Sequence, residues 1–178
     1  MRKMKRTITL LILVCLIAQL RAQTLREKIH FSTNLMVGMP LADSDVKPLS
    51  LLVSAEYQLH PRLSAGFGTG ISKYDHLMLP IFANFHWQVN KPHRFTPFLA
   101  CNIGHAFAPK KHVSGGFYFS PSVGISYKLK GLQSLSLSIG YEIQEYNQLV
   151  TYENAMYLTQ YVEDISNQAI TASIGFTF

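Results

Sequence analysis

Apolar residues alternate with small polar ones through most of the chain after residue 28. From Ile29 to Met39, Phe31, Thr33, Leu35 and Val37 share one face. From Leu49 to Leu59, Leu49, Leu51, Val53, Ala55, Tyr57 and Leu59 alternate with Ser50, Leu52, Ser54, Glu56 and Gln58. The stretch RLSAGFGTGIS sets Leu63, Ala65, Phe67 and Ile71 against Ser64, Gly66, Gly68 and Gly70. The same rhythm returns from Leu77 to Trp87, Phe95 to Phe107, Phe117 to Tyr127 and Leu135 to Ile143, and in the closing AITASIGFTF. A period of two is the mark of a strand, because successive side chains point to opposite faces. A tilted strand crosses a bilayer in about 9–11 residues, the length of these segments. The pattern predicts eight antiparallel strands in up-and-down order.

The polar face decides what surrounds them. A soluble eight-stranded barrel of the lipocalin kind would show the same alternation with the faces exchanged, and many Lys and Glu in water. Here the polar face is mostly Ser, Gly, Asn, Thr and Gln, which suits the cramped interior of a small barrel. The apolar face is then expected to meet lipid, where a closed barrel leaves no backbone group unpaired. Charged residues are 15% of the chain, against about 25% in soluble domains.

Residues 1–22 stand apart. Arg2, Lys3, Lys5 and Arg6 precede an apolar run from Ile8 to Ile17, and Ala22 suits the last position before cleavage. This is the layout of a secretory signal peptide, with residues 23–178 as the barrel domain. A retained signal anchor is the alternative, but the run is short for a span of about 20 residues. Without Arg2, Lys3, Lys5, Arg6 and Arg21, the sixteen basic residues fall to eleven, against ten acidic ones. The net charge of +6 is therefore largely a property of the targeting segment, and a nucleic-acid partner loses its electrostatic support. Cys101 is the one cysteine left, so no internal disulfide is expected. No motif for a cofactor or a metal is present.

The connections after strands two, four and six are short, and those after one, five and seven are longer; the link after strand three, near Lys73 to His76, is an exception and is short. Short turns on one side and longer loops on the other fit a barrel with its termini in the periplasm. Phe31, Tyr57, Trp87, Phe95, Tyr127 and Phe178 then map to the periplasmic rim, and Tyr74, Phe107, Phe117 and Phe119 to the outer rim. Arg26, Lys28, Arg62, Lys91, Arg94, Lys128 and Lys130 gather at the periplasmic end. Asp43, Asp45, Asp75, Glu145, Glu153, Glu163 and Asp164 gather in the opposite loops.

With these features in place, the chain resembles the small outer-membrane β-barrel proteins of Gram-negative bacteria, of the OmpX type or the barrel of OmpA. The LRAQ junction and modest size are also similar to single-barrel outer-membrane proteins of the Bacteroidota. The resemblance implies residence in the outer membrane as a monomer among lipids and lipopolysaccharide. It also implies recognition of the terminal Phe178 by the barrel-assembly machinery.

Candidate chemistry is sparse. His30 and Ser32 share a face, and pairing through the first loop is expected to set Ser32 opposite Glu56. This resembles the Ser, His and Glu of lipid A deacylases of the PagL type, but it lies inside the lumen, whereas such an enzyme needs its nucleophile on the lipid side. A hydrogen-bonded lumen network is the reading preferred. His105 points outward near Phe119 and Pro121, without a serine or carboxylate partner. Glu56, His86, Asn102, Lys128, Glu142 and Gln144 are expected in the lumen, as a packed polar plug in preference to a narrow water path. Lys110, Lys111 and His112 form a loop cluster that could meet lipopolysaccharide phosphates. Between Asn147 and Asn167, Ala155, Leu158, Val162 and Ile165 have helical spacing, with Asn154 as N-cap. Tyr146, Tyr152, Tyr157 and Tyr161 are candidates for surface contact there. The function expected is a non-enzymatic surface protein serving membrane integrity, adhesion or ligand contact through its loops. A lipid A-modifying hydrolase and a narrow pore are the alternatives.

Overall fold

The structure, a computed structural model, describes residues 28–41, 47–74, 76–91, 93–109, 113–129, 133–154 and 157–178, and the side chains of all but 149–162. The expected signal peptide, and Lys110, Lys111 and His112, lie outside the described residues.

Eight strands follow in chain order: β1 (Ile29–Pro40), β2 (Leu49–His60), β3 (Leu63–Lys73), β4 (Leu77–Gln88), β5 (Phe95–Phe107), β6 (Val113–Lys128), β7 (Ser134–Asn154) and β8 (Tyr157–Thr177). Each pairs antiparallel with the next, and β8 returns to β1, closing an up-and-down barrel. The closing seam ends where the chain ends. The amides of Phe31 and Phe178 each donate to the other's carbonyl, at 3.0 and 2.9 Å, and their rings stack 6.2 Å apart.

The faces divide as the alternation predicts. Leu51, Ile81, Ile125 and Ile139 point outward, Ile139 with 64% of its surface exposed, while Ser54 on the other face retains 7%. Covering one such aliphatic chain is worth about 1.5–3 kcal/mol. A belt of them around the whole barrel is tolerable only against oil. The closed ladder supplies the rest, since the paired strands leave no open edge to the hydrocarbon.

Three departures from the sequence expectation matter. β6 begins at Val113, so part of the long loop expected after strand five is strand. It is bulged: Gly115 pairs with Tyr146 and Tyr118 with Gln144, so two residues, Gly116 and Phe117, face the single Glu145. A side chain on Gly116 would collide with the backbone of Glu145. Second, the last connection is not a helix. β7 and β8 continue as one hairpin to the pair Asn154–Tyr157, because backbone pairing across the hairpin satisfies these amides without a helix. Third, Tyr74 does not join the outer aromatic belt. It is 5% exposed and turns into the barrel mouth.

Among the described residues, the β7–β8 hairpin is the tallest feature. The last described pair between β6 and β7 is Val113–Gln148, and between β1 and β8 it is Pro40–Ala169. The β7–β8 ladder runs on from Gln148–Glu163 to Asn154–Tyr157, about 20 Å further at ~3.4 Å per residue.

Candidate functional site

The lumen holds two zones. Towards the end where the termini lie, small polar residues surround a cavity of about 60 Å³, room for a few waters. β1 and β2 supply Ser32, Asn34 and Glu56; β4 and β5 supply His86, Asn84 and Asn102. Ser32 and Ser54 share a hydrogen bond of 2.7 Å, and Ser54 donates to Glu56 Oε1 at 3.3 Å. The other Glu56 oxygen faces His86 Nδ1 at 4.0 Å. The His86 ring stacks on Phe98 at 4.5 Å. Asn84 donates to Asn102 Oδ1 at 2.6 Å. His86 Nε2 and Asn84 Oδ1 have no hydrogen-bond partner among the described residues; both side chains line this cavity.

Past the cavity the interior turns apolar. Met36, Leu52, Met78, Phe82 and Tyr118 pack into one buried cluster with Ala106, Val113 and Tyr146. Phe82 and Tyr118 meet with ring centroids 5.7 Å apart. β3 makes room for them: a Cβ on Gly68 would stand 2.5 Å from the Phe82 ring. Above the cluster, Tyr74 donates to Glu142 Oε1 at 2.5 Å. Burial, and then the adjacent Glu142 carboxylate, hold the Tyr74 phenol above its ordinary range. The bore is thus blocked by apolar side chains in its middle and by a tyrosine–carboxyl pair near its outer mouth.

The sequence-predicted residues fare unequally. Glu56, His86 and Asn102 line the cavity. Glu142 and Gln144 are fully buried in the outer half. Lys128 is not in the lumen. It is exposed at the end of β6, where the inward register runs out at the rim. Ser32 pairs with Ser54, not with Glu56, whose Cα partner is His30. The real register is shifted by two residues, because the long first connection does not fix how the strands align. The His that meets Glu56 is His86, from β4, which the local pattern could not bring there. The order is also wrong for a relay: the carboxylate lies between serine and imidazole, whereas nucleophile activation needs the imidazole on the serine. His105 pairs with Phe117, not Phe119, and its ring lies edge-on to Phe107 at 4.8 Å. Tyr146 is 2% exposed and belongs to the plug, so it is no surface contact. The side chains of Tyr152, Tyr157 and Tyr161 lie outside those described. Among the described residues, no three His, Cys, Asp or Glu side chains gather as metal ligands.

Sequence reasoning expected a packed polar plug and missed its apolar middle. Its signal was present: Met36, Leu52 and Phe82 break the run of small residues on the inward face.

No protein-family model matches the chain, and no curated protein does. Its likenesses are to solved structures. The outer membrane protein AlkL, determined in lipid bilayers, is 14% identical, with 85% of this chain and 89% of that one covered, at a TM-score of 0.56. Neisserial surface protein A is 13% identical over 83% of this chain and 94% of that one, at 0.51. The outer membrane enzyme PagL is 14% identical over 81% and 97%, at 0.50. What is shared at these identities is the architecture: the chain is an eight-stranded β-barrel of the outer-membrane kind.

Proposed function

We propose that this chain is a non-enzymatic, non-conducting protein of the Gram-negative outer membrane, making its outward contacts through the β7–β8 hairpin in membrane integrity or adhesion. The observation that carries this is the plug of Met36, Leu52, Met78, Phe82 and Tyr118 across the bore. It leaves the polar cavity without a continuous wet path to the outer mouth, which speaks against the narrow pore. The lumen set speaks against the hydrolase. Ser54, Glu56 and His86 face inward, out of reach of a lipid in the outer leaflet. PagL shares this fold and is an enzyme, but fold does not carry chemistry. What remains available to a partner is the hairpin, which rises above the other described strands.

Refolded protein in planar bilayers is expected to give no steady conductance steps. Lipid A incubated with it is expected to keep all its acyl chains by mass spectrometry. Protease added to whole cells is expected to cut first between residues 149 and 162. Regular conductance steps or a shortened acyl pattern would overturn the proposal in favour of the corresponding alternative.

A further inference from the structure

We infer that the barrel carries, on its outer wall, a binding site for one anionic phospholipid of the leaflet at the terminal end. The inference rests on the bilayer residence proposed above.

The wall across β5 to β8 and β1 is not evenly covered. Register aligns Pro97, Ile125, Leu137, Ile174 and Leu35 in one row across the strands. The next row runs through Val123, Ile139, Ala172 and Val37. Pro97 and Ala172 are short among branched neighbours. Gly124 and Ser173, whose side positions face inward, become part of the floor. The result is a groove of about 830 Å³ with an almost wholly apolar lining. Strands in such barrels tilt about 35–45°, so a row perpendicular to them is also inclined to the membrane plane. That gives an extended acyl chain a path along the wall.

The groove ends at Tyr127, and a second hollow of about 750 Å³ begins there, lined by Arg94, Tyr127, Lys128, Leu129 and Gln133. Arg94 Nε and Nη2 donate to the Tyr127 hydroxyl at 3.0 and 2.8 Å. Its guanidinium also lies over the Tyr127 ring, 5.4 Å from the centroid. This fixes a normally floppy side chain and leaves further N–H donors of the guanidinium for a phosphate. The Lys128 amide donates to the Arg94 carbonyl at 3.0 Å, which sets the two residues opposite one another at the rim, and both line this hollow. No carboxylate lines either hollow. An apolar track ending in two adjacent cations at the interface matches an acyl chain ending in a phosphate headgroup.

The test is lipid retention by native mass spectrometry. The barrel is released from nanodiscs of equal phosphatidylglycerol and phosphatidylcholine. Each basic side chain at an anionic lipid surface favours binding about fivefold. One retained phosphatidylglycerol is therefore expected over phosphatidylcholine by roughly twenty-five-fold. Arg94→Ala with Lys128→Ala is expected to bring the ratio to near parity, while Lys28→Ala with Arg62→Ala, at the same rim, leaves it unchanged. Ala172→Trp, which fills the groove, is expected to lose the retained lipid while keeping the heat-dependent gel mobility of a folded barrel. Parity in the wild type, or preference persisting in the Arg94/Lys128 variant, would overturn the site. So would equal loss in the Lys28/Arg62 variant. A wild-type barrel that enters no bilayer would overturn the membrane reading itself, and this inference with it.

Discussion

Replacing Ile139 by arginine tests the assignment of the outer face most directly. Ile139 pairs with Val123 on β6, and Leu135, four residues earlier, pairs with the rim residue Tyr127. At about 3.3 Å per residue and a tilt near 40°, Ile139 stands about 10 Å above that rim. The apolar band of such a barrel is about 25 Å tall, which puts Ile139 close to its middle. Arginine facing lipid at the midplane costs about 2–4 kcal/mol, and near the interface about 0–1. Ile139→Arg should therefore cost some 2–3 kcal/mol more than Leu135→Arg, roughly a 30- to 150-fold change in the folding equilibrium. Reversible unfolding by guanidinium in phospholipid vesicles measures this. Trp87, the only tryptophan, lies outward and half exposed to report insertion. Equal costs at the two positions, or a neutral Ile139→Arg, would refute the reasoning, because a water-facing isoleucine has nothing to lose by becoming charged.

Other outcomes follow from the interior and the wall. Phe82→Ala removes the ring that meets Tyr118 in the plug; it should cost about 3–5 kcal/mol and add conductance events in planar bilayers that the wild type lacks. Tyr74 has its phenol held above the usual range by burial and then by Glu142. Its contribution is complete below about pH 10 and declines as pH rises past the unfolded phenol's value. Tyr74→Phe should flatten that alkaline loss in pH-dependent unfolding, and at neutral pH should cost about 1–3 kcal/mol for the carboxyl left without its donor. Cys101 alternates with Leu99 and Ile103 on the lipid face of β5. In the vesicle-inserted barrel it should resist charged water-soluble thiol reagents and react on denaturation; rapid labelling while folded would contradict the placement.

The wall was legible because a strand's side-chain period is two and one face had to be oil-soluble. Phe95 to Phe107 is bounded in the structure as in the pattern, and Phe178 sits at the closing seam as its alternation required. Register was not legible. Ser32 aligns with Ser54 through a long connection whose length does not determine pairing, and His86 reaches Glu56 only because β2 and β4 flank the same strand, β3, where Gly66 stands opposite Glu56 with no side chain between them. The hairpin was misread for another reason. Ala155, Leu158, Val162 and Ile165 recur at spacings that suit a helix, but partners across a hairpin decide short apolar repeats. Glu142, Gln144, Tyr146 and Gln148 continue one inward file of β7. With polar Glu145 and Asn147 between them, the alternation of apolar and polar is erased while that of inward and outward persists.

Lipid on one side and packed side chains on the other leave the middle of each strand nothing to offer a protein partner, so protein contacts belong to the two ends. The ends differ: one closes in short turns, basic residues and the Phe31–Phe178 seam, and the other, among the described residues, sends up one hairpin. Gln148 pairs with Glu163, so residues 149–162 can be replaced by a two-residue Asn-Gly turn of the kind that joins paired strands directly. The described β6–β7 and β1–β8 ladders end at Gln148 and Ala169 and are untouched. A two-stranded ribbon by itself is marginal in water, and its removal should change the vesicle unfolding free energy by under about 1 kcal/mol. The first protease cut on whole cells should disappear with it. If the shortened chain instead fails to insert, the hairpin is part of how the barrel is built, and the separation of scaffold from contact element is wrong.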